Sequence, residues 1–106
     1  MKIAVHNFLD FLKTPSRSFV ISPYGRFRLK LRSINEKSCM EDLLSRKPVA
    51  VTEQDCETEG ERKFRAYYSQ TDDMHHVYII CVNKAIRLIT AWRTSKSIQR
   101  KWAGNL

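Results

Sequence analysis

Five residues in the second half of the chain, Arg65, Tyr67, His76, Arg87 and Arg93, are of the types that hold a phosphate and move a proton. Arginine presents a planar fork of N–H donors matched to two phosphate oxygens, and histidine or tyrosine can exchange a proton with a reacting hydroxyl. Such a set suffices for cutting a phosphodiester without a metal. One group draws a proton from the 2′-hydroxyl, one protonates the leaving oxygen, and cations take up the charge that grows on the phosphate. The same arginines on a solvated sheet face can serve solubility alone, or bind nucleic acid without cutting it, so three readings stand open on residue types.

The segments that must position this set are strands. In KFRAYYSQ, alternation puts Phe64, Ala66 and Tyr68 on one face and Arg65 and Tyr67 on the other. HHVYIICV (75 to 82) and IRLITAWR (86 to 93) are rich in β-branched residues and predict a hairpin. With Asn83-Lys84 as a two-residue turn, Val82 faces Ala85, Cys81 faces Ile86, Ile80 faces Arg87, Tyr78 faces Ile89 and His76 faces Ala91. That register buries Val77, Ile79, Cys81, Ile86, Leu88 and Trp92, and gathers His76, Tyr78, Arg87 and Arg93 on the opposite face.

Other chemistries lack their residues. Gly25, Gly60 and Gly104 are isolated, so no Gly-rich phosphate loop can be quoted, and neither a serine nucleophile elbow nor a paired-carboxylate motif is present. His75 and His76 are adjacent in a strand and point to opposite faces, so they cannot jointly hold one ion; no metal and no cofactor is expected. Cys39, Cys56 and Cys81 are odd in number, widely spaced and without a CxxC pair, which predicts reduced thiols rather than a disulfide framework.

At 106 residues the chain is expected to form a single domain over residues 1 to 106. No apolar run is long enough to span a bilayer, and the opening MKIAVHNFLDFLK is too polar for a signal peptide, so a cytoplasmic protein without membrane contact is expected. The net charge of +8 favours polyanionic partners, nucleic acid first. Charge is also segregated: residues 53 to 61 (EQDCETEGE) hold five carboxylates and no basic residue, whereas residues 84 to 101 hold six basic residues and no acidic one. The acidic run reads as a solvated connector, or as a screen over part of the basic surface.

Upstream, Val5, Phe8, Leu9, Phe11 and Leu12 predict an amphipathic helix over residues 5 to 13 whose stripe covers the core or, in a homodimer, a second copy. SFVIS is β-prone. RFRLKLR alternates like a strand, but Ser22-Pro23 ahead of it is an N-cap followed by proline at the first helical position, which predicts a helix with Tyr24, Phe27, Leu31 and Ile34 as its apolar face. Arg28 and Arg32 then form a ledge one turn apart, suited to a nucleic-acid backbone. Ser33 and Glu36 suggest a capping box for a second helix with Cys39, Met40, Leu43 and Leu44 as its stripe, ended by Pro48, and PVAVTE opens a strand. TSKSIQRKW predicts a terminal helix capped by Thr94 or Ser95, with Lys96, Arg100 and Lys101 outside as nucleic-acid contacts.

Residues 21 to 34 (ISPYGRFRLKLRSI) resemble the opening of a family of small bacterial and archaeal domains in which an Arg-rich helix leads to a second helix ending near proline. GERKFR (60 to 65) and IRLITAWRTSK (86 to 96) resemble the second half of that family, and are similar to BrnT-like toxins of the RelE-like superfamily. The likeness covers roughly residues 20 to 102. It implies an α+β fold, helices followed by a curled antiparallel sheet and a C-terminal helix, with ribonuclease activity on messenger RNA and a cognate antitoxin as partner. By position it adds Arg62 to the basic contacts and matches Arg28, Arg32, Arg87 and Arg93; it departs at Tyr24, where the family commonly has histidine. The alternative is a non-catalytic nucleic-acid-binding or accessory protein of a virus or plasmid, or a module whose basic face docks an acidic partner.

Overall fold

A computed structural model describes residues 1–13 and 16–95. The order of elements is β1 (Lys2–Ile3), α1 (Val5–Lys13), β2 (Ser18–Ile21), α2 (Pro23–Leu31), α3 (Glu36–Ser45), β3 (Ala50–Gln54), β4 (Arg62–Ser69), β5 (Met74–Val82) and β6 (Ala85–Ser95). The architecture is α+β. Six strands form one open sheet in the order β1-β3-β4-β5-β6-β2. It is mixed rather than purely antiparallel, because β2 runs parallel to β6 while every other pair is antiparallel. A parallel partner for SFVI is available because α2, α3 and three strands intervene before the chain returns as β6.

The three helices pack on one face of this sheet. Phe8 and Leu12 of α1, Leu29 of α2 and Cys39 and Leu43 of α3 share a core with Phe64, Ala66, Tyr68, Tyr78, Ile80, Ile86 and Leu88. The stripe of α1 is thus spent on its own sheet, with the Phe8 ring edge-on to Phe64 at 5.2 Å between centroids. The opposite face carries a smaller cluster of Ala50, Tyr67 and Val77 with Trp92.

The cap of α2 forms as the sequence predicts: Ser22 Oγ accepts from the Gly25 N–H at 2.9 Å and Pro23 occupies the first turn. Of the predicted apolar face only Ile34, past the end of α2, joins the core, and the helix itself buries another side. Gly25 and Leu29 point inward, while Tyr24, Phe27 and Leu31 are each more than half exposed. The reason lies at Gly25, where a Cβ would sit 2.7 Å from the Leu88 carbonyl oxygen and 3.0 Å from Ser22 Oγ. The helix approaches β6 along the one residue without a side chain, and that fixes its rotation. The capping box is also replaced: Asn35, not Ser33, caps α3, its Oδ1 accepting from the N–H groups of Lys37 and Ser38. Ser33 sits at φ 55° in the bend, and Glu36 reaches back to Arg26 of α2 at 3.0 Å.

β6 runs on through Thr94 and Ser95; Lys96, Arg100, Lys101 and the rest of the expected terminal helix lie outside the described residues. Among the described residues no helix is long and apolar enough to cross a membrane.

The approach of α2 to β6 sets a stability expectation. Gly25→Ala drives a methyl group into a backbone carbonyl that cannot step aside alone, and is expected to lower the unfolding free energy by about 1–3 kcal/mol, read from the urea midpoint. An unchanged midpoint would show that α2 slides without penalty.

Candidate functional site

The hairpin register decides which candidate residues meet. Val82 pairs with Ile86, leaving three residues rather than two between them, because the Asn83 side chain accepts the Ala85 N–H at 2.9 Å and the Asn83 N–H donates to the Ala85 carbonyl. A slip of one residue turns the near half of β6 over relative to β5. Ile86 and Leu88 join the helix-covered face and Arg87 moves to the other. A bulge then inserts Ile89, so that Ile80 pairs with Leu88 but Ile79 with Thr90, and the remaining pairs are Tyr78 with Ala91, Val77 with Trp92 and His76 with Arg93.

The five residues expected on one face are therefore divided by the sheet. Arg65, Tyr67 and Arg87 lie on the face away from the helices, and His76 and Arg93 on the helix-covered face. On the first face, the Arg65 guanidinium carbon is 5.7 Å from the Trp92 ring centroid, and Tyr67 is almost fully buried in the small cluster. Arg87 approaches Glu61 at 3.4 Å. Arg62, beside α1, forms a two-point ion pair with Glu53 at 2.7 and 2.8 Å and covers the rings of Phe11 and Phe64. Its hydrogen bond holds the Glu53 carboxyl below the usual range and raises Arg62 above its own. The acidic run thus occupies two of the expected RNA-contacting or catalytic cations. Arg28 and Arg32 stand on the flank and at the end of α2 as expected.

On the helix-covered face the structure assembles a group that sequence reasoning only half contained. Tyr68, His76 and Arg93 form a row across β4, β5 and β6. Next to it, Tyr78 donates its hydroxyl proton to Asp42 Oδ2 of α3 at 2.6 Å. Asp42 is 1% exposed and accepts two further bonds, from Gln70 Nε2 at 3.0 Å and from Arg46 at 2.7 Å. Arg46, one helical turn on, is itself anchored to the Ser69 carbonyl at 2.6 Å. His76 Nδ1 lies 3.2 Å from the Tyr78 oxygen. Since the single tyrosine proton goes to Asp42, this contact is a hydrogen bond only if Nδ1–H donates, which leaves the lone pair of a neutral ring on Nε2. The result is a chain from a buried carboxylate through a tyrosine to a half-buried histidine.

Electrostatics agree with that assignment. Burial lowers the His76 pKa, with Arg93 and Arg46 adding to the effect and Asp42 opposing it, so the ring is neutral at neutral pH and free to accept a proton. Burial, then the hydrogen bond to Asp42, raises the Tyr78 phenol far out of reach of ordinary pH, and burial with the Asp42 charge does the same to Tyr68, whose buried hydroxyl has no hydrogen-bond partner among the described residues. The Cys39 thiol is pushed up to about 12 by burial and by Asp42 and Glu36, which makes it inert packing rather than a nucleophile. Of these four groups only His76 is shifted toward a form that can accept a proton at neutral pH.

Asp42, Arg46 and Gln70 were missed. The signal is a carboxylate within the apolar stripe of α3: Asp42 is buried with Cys39 and Leu43 of the predicted stripe, whereas its other two members, Met40 and Leu44, are each 40% exposed.

Two measurements follow from the chain. Tyr78→Phe removes a hydrogen bond to a buried carboxylate and is expected to cost about 1.5–3 kcal/mol of stability by urea unfolding. The pH dependence comes from His76. The unfolded chain binds its proton near 6.5 and the native chain only at lower pH, so stability contributed by the neutral ring is complete above 6.5 and is lost as pH falls toward the folded value. His76→Gln should flatten that part of the stability profile, and an equal decline in the variant would assign the slope to other groups.

Compared with protein-family models, with curated proteins and with solved structures, the chain has no match.

Proposed function

We propose that the protein contacts RNA and cleaves it without a metal through attack of the 2′-hydroxyl, with His76 as the base. The observation that carries this reading is the Asp42–Tyr78–His76 chain, which fixes one tautomer of a neutral histidine beside an exposed arginine. His76 Nε2 takes the 2′-hydroxyl proton as the 2′-oxygen bonds to phosphorus. The bond to the 5′-oxygen breaks, solvent protonates that oxygen, and a 2′,3′-cyclic phosphate remains. Arg93, across the strand from His76 and without a carboxylate partner among the described residues, stabilises the charge on the phosphate. Arg46 is committed to Asp42 and Ser69 and acts as an anchor. Arg65, Tyr67 and Arg87, on the other side of the sheet, belong to RNA contact or to the fold rather than to this reaction.

The net charge of +8 and the likeness of residues 20 to 102 to RelE-like toxins support an RNA substrate, and the likeness adds a cognate antitoxin as partner. A second reading, nucleic-acid binding without cleavage, is favoured by Arg28, Lys30 and Arg32, which among the described residues pair with no carboxylate.

Incubation of end-labelled RNA with the protein in EDTA separates the two. Cleavage to a cyclic phosphate and a 5′-hydroxyl is expected, falling by about 10²–10⁴-fold in His76→Gln and by about 10²–10³-fold in Arg93→Ala. The rate should fall on the acid side below pH 6.5, where His76 becomes protonated. Salt-sensitive binding with intact RNA would establish the second reading, and cleavage persisting in His76→Gln would remove the assigned base.

A further inference from the structure

The helix α2 exposes what its sequence pattern would bury. Tyr24 and Phe27 are each 57% exposed and Leu31 is 54% exposed, on the side of the helix turned away from Gly25 and Leu29. The two rings lie 6.3 Å apart between centroids, inclined at 34°. Cations border them closely. The Arg28 guanidinium carbon is 5.9 Å from the Tyr24 centroid, and Lys30 and Arg32 follow on the same short helix. Arg26 is neutralised by Glu36.

An exposed apolar stripe invites an occupant, and the charge around it selects the kind. Three cations without carboxylate partners among the described residues attract a polyanion. Two exposed rings offer π faces, which bases can use only when they are unpaired and splayed from their own stack. A base-paired helix would reach the cations through its phosphates and leave the rings unused.

We infer that the exposed face of α2 is a stacking platform for single-stranded RNA, on which Tyr24 and Phe27 hold unpaired bases while Arg28, Lys30 and Arg32 follow the phosphates. The inference rests on the RNA reading above and sharpens its substrate to unpaired strands. It also gives Tyr24 a role in binding, independent of the reaction at His76.

The test is fluorescence anisotropy with a 2′-O-methyl oligouridylate of roughly 12 nucleotides, which cannot be cleaved, and a duplex RNA of the same length. Tyr24→Ser and Phe27→Ser, both at exposed positions, should unfold at the wild-type temperature. Each should bind the single strand about tenfold to a hundredfold more weakly, and the duplex within about twofold of wild type. Tyr24→Trp should restore single-strand binding. Arg32→Ala should weaken both ligands and lower the salt slope by about one. If wild type binds RNA but the ring variants lose single strand and duplex equally, or lose neither, the platform is overturned and the RNA reading stands. If wild type binds neither RNA, both fall. Two further results would reassign the face: a wild-type dimer that Tyr24→Ser turns into monomers points to a second copy, and displacement by polyglutamate as effective as by oligouridylate points to an acidic protein.

Discussion

The buried carboxylate of Asp42 is the constraint around which the helix-covered half of the molecule is arranged. A carboxylate removed from water is stable only where donors replace its hydration, and here three do so from three segments: Tyr78 from β5, Gln70 from the turn after β4, and Arg46 from α3 itself. These bonds register α3 on the sheet more sharply than its two buried apolar residues could, because an apolar contact tolerates sliding and a 2.6 Å hydrogen bond does not. They also consume the tyrosine proton and set the His76 tautomer, while burial, and after it the Asp42 charge, raises the neighbouring thiol and phenols out of the reactive range. A buried ionic cluster is seldom the most stable filling for such a space, since apolar side chains of similar volume often serve as well or better. In the proposed reaction its part is to direct one histidine.

The distribution of charge narrows the basic surface further. The sequence offers 19 lysines and arginines, but position in the fold decides which can act on a partner. Glu53 and Glu61, at the two ends of the acidic run, hold Arg62 and Arg87, and Glu36 holds Arg26. Each of these exposed pairs adds little to stability. Their effect is on availability: an RNA phosphate must displace a carboxylate to reach Arg62 or Arg87, whereas Arg93 and the outer cations of α2 present no such competition among the described residues. The acidic run is thus tied to the fold at both ends through Arg62 and Arg87.

Local signals were legible where a residue's own chemistry sets its conformation. Ser22-Pro23 overrode the alternation of RFRLKLR and gave the helix start, and the alternation of KFRAYYSQ divided Arg65 and Tyr67 from Phe64, Ala66 and Tyr68 as observed. What was not legible depends on a partner elsewhere in the chain. Asn83 lengthens its own turn by capping Ala85, and the bulge at Ile89 adds a second one-residue shift, so beyond residue 89 the pairing is displaced by two and the facing is restored. His76 and Arg93 consequently share a face as expected, although the register that led to this was wrong. Arg87 falls between the two departures and is the candidate that changes sides. The parallel pairing of β2 with β6 and the inward carboxylate of α3 are likewise invisible to periodicity, which treats every charged residue as outward-facing.

The rotation of α2 links packing to recognition. Successive residues advance about 100° around a helix, so seating Gly25 and Leu29 on β6 turns Tyr24 and Phe27 away from the sheet. Had the helix rotated to bury its apolar stripe, each large side chain would have gained about 1.5–3 kcal/mol, at the expense of the close approach at Gly25 and the Ser22 cap. The fold takes the close backbone contact and leaves the rings in water beside cations that pair with no carboxylate among the described residues. That apolar free energy remains available to whatever covers the helix, and the surrounding charge makes a polyanion with exposed aromatic faces a better fit than a second copy of the same basic surface.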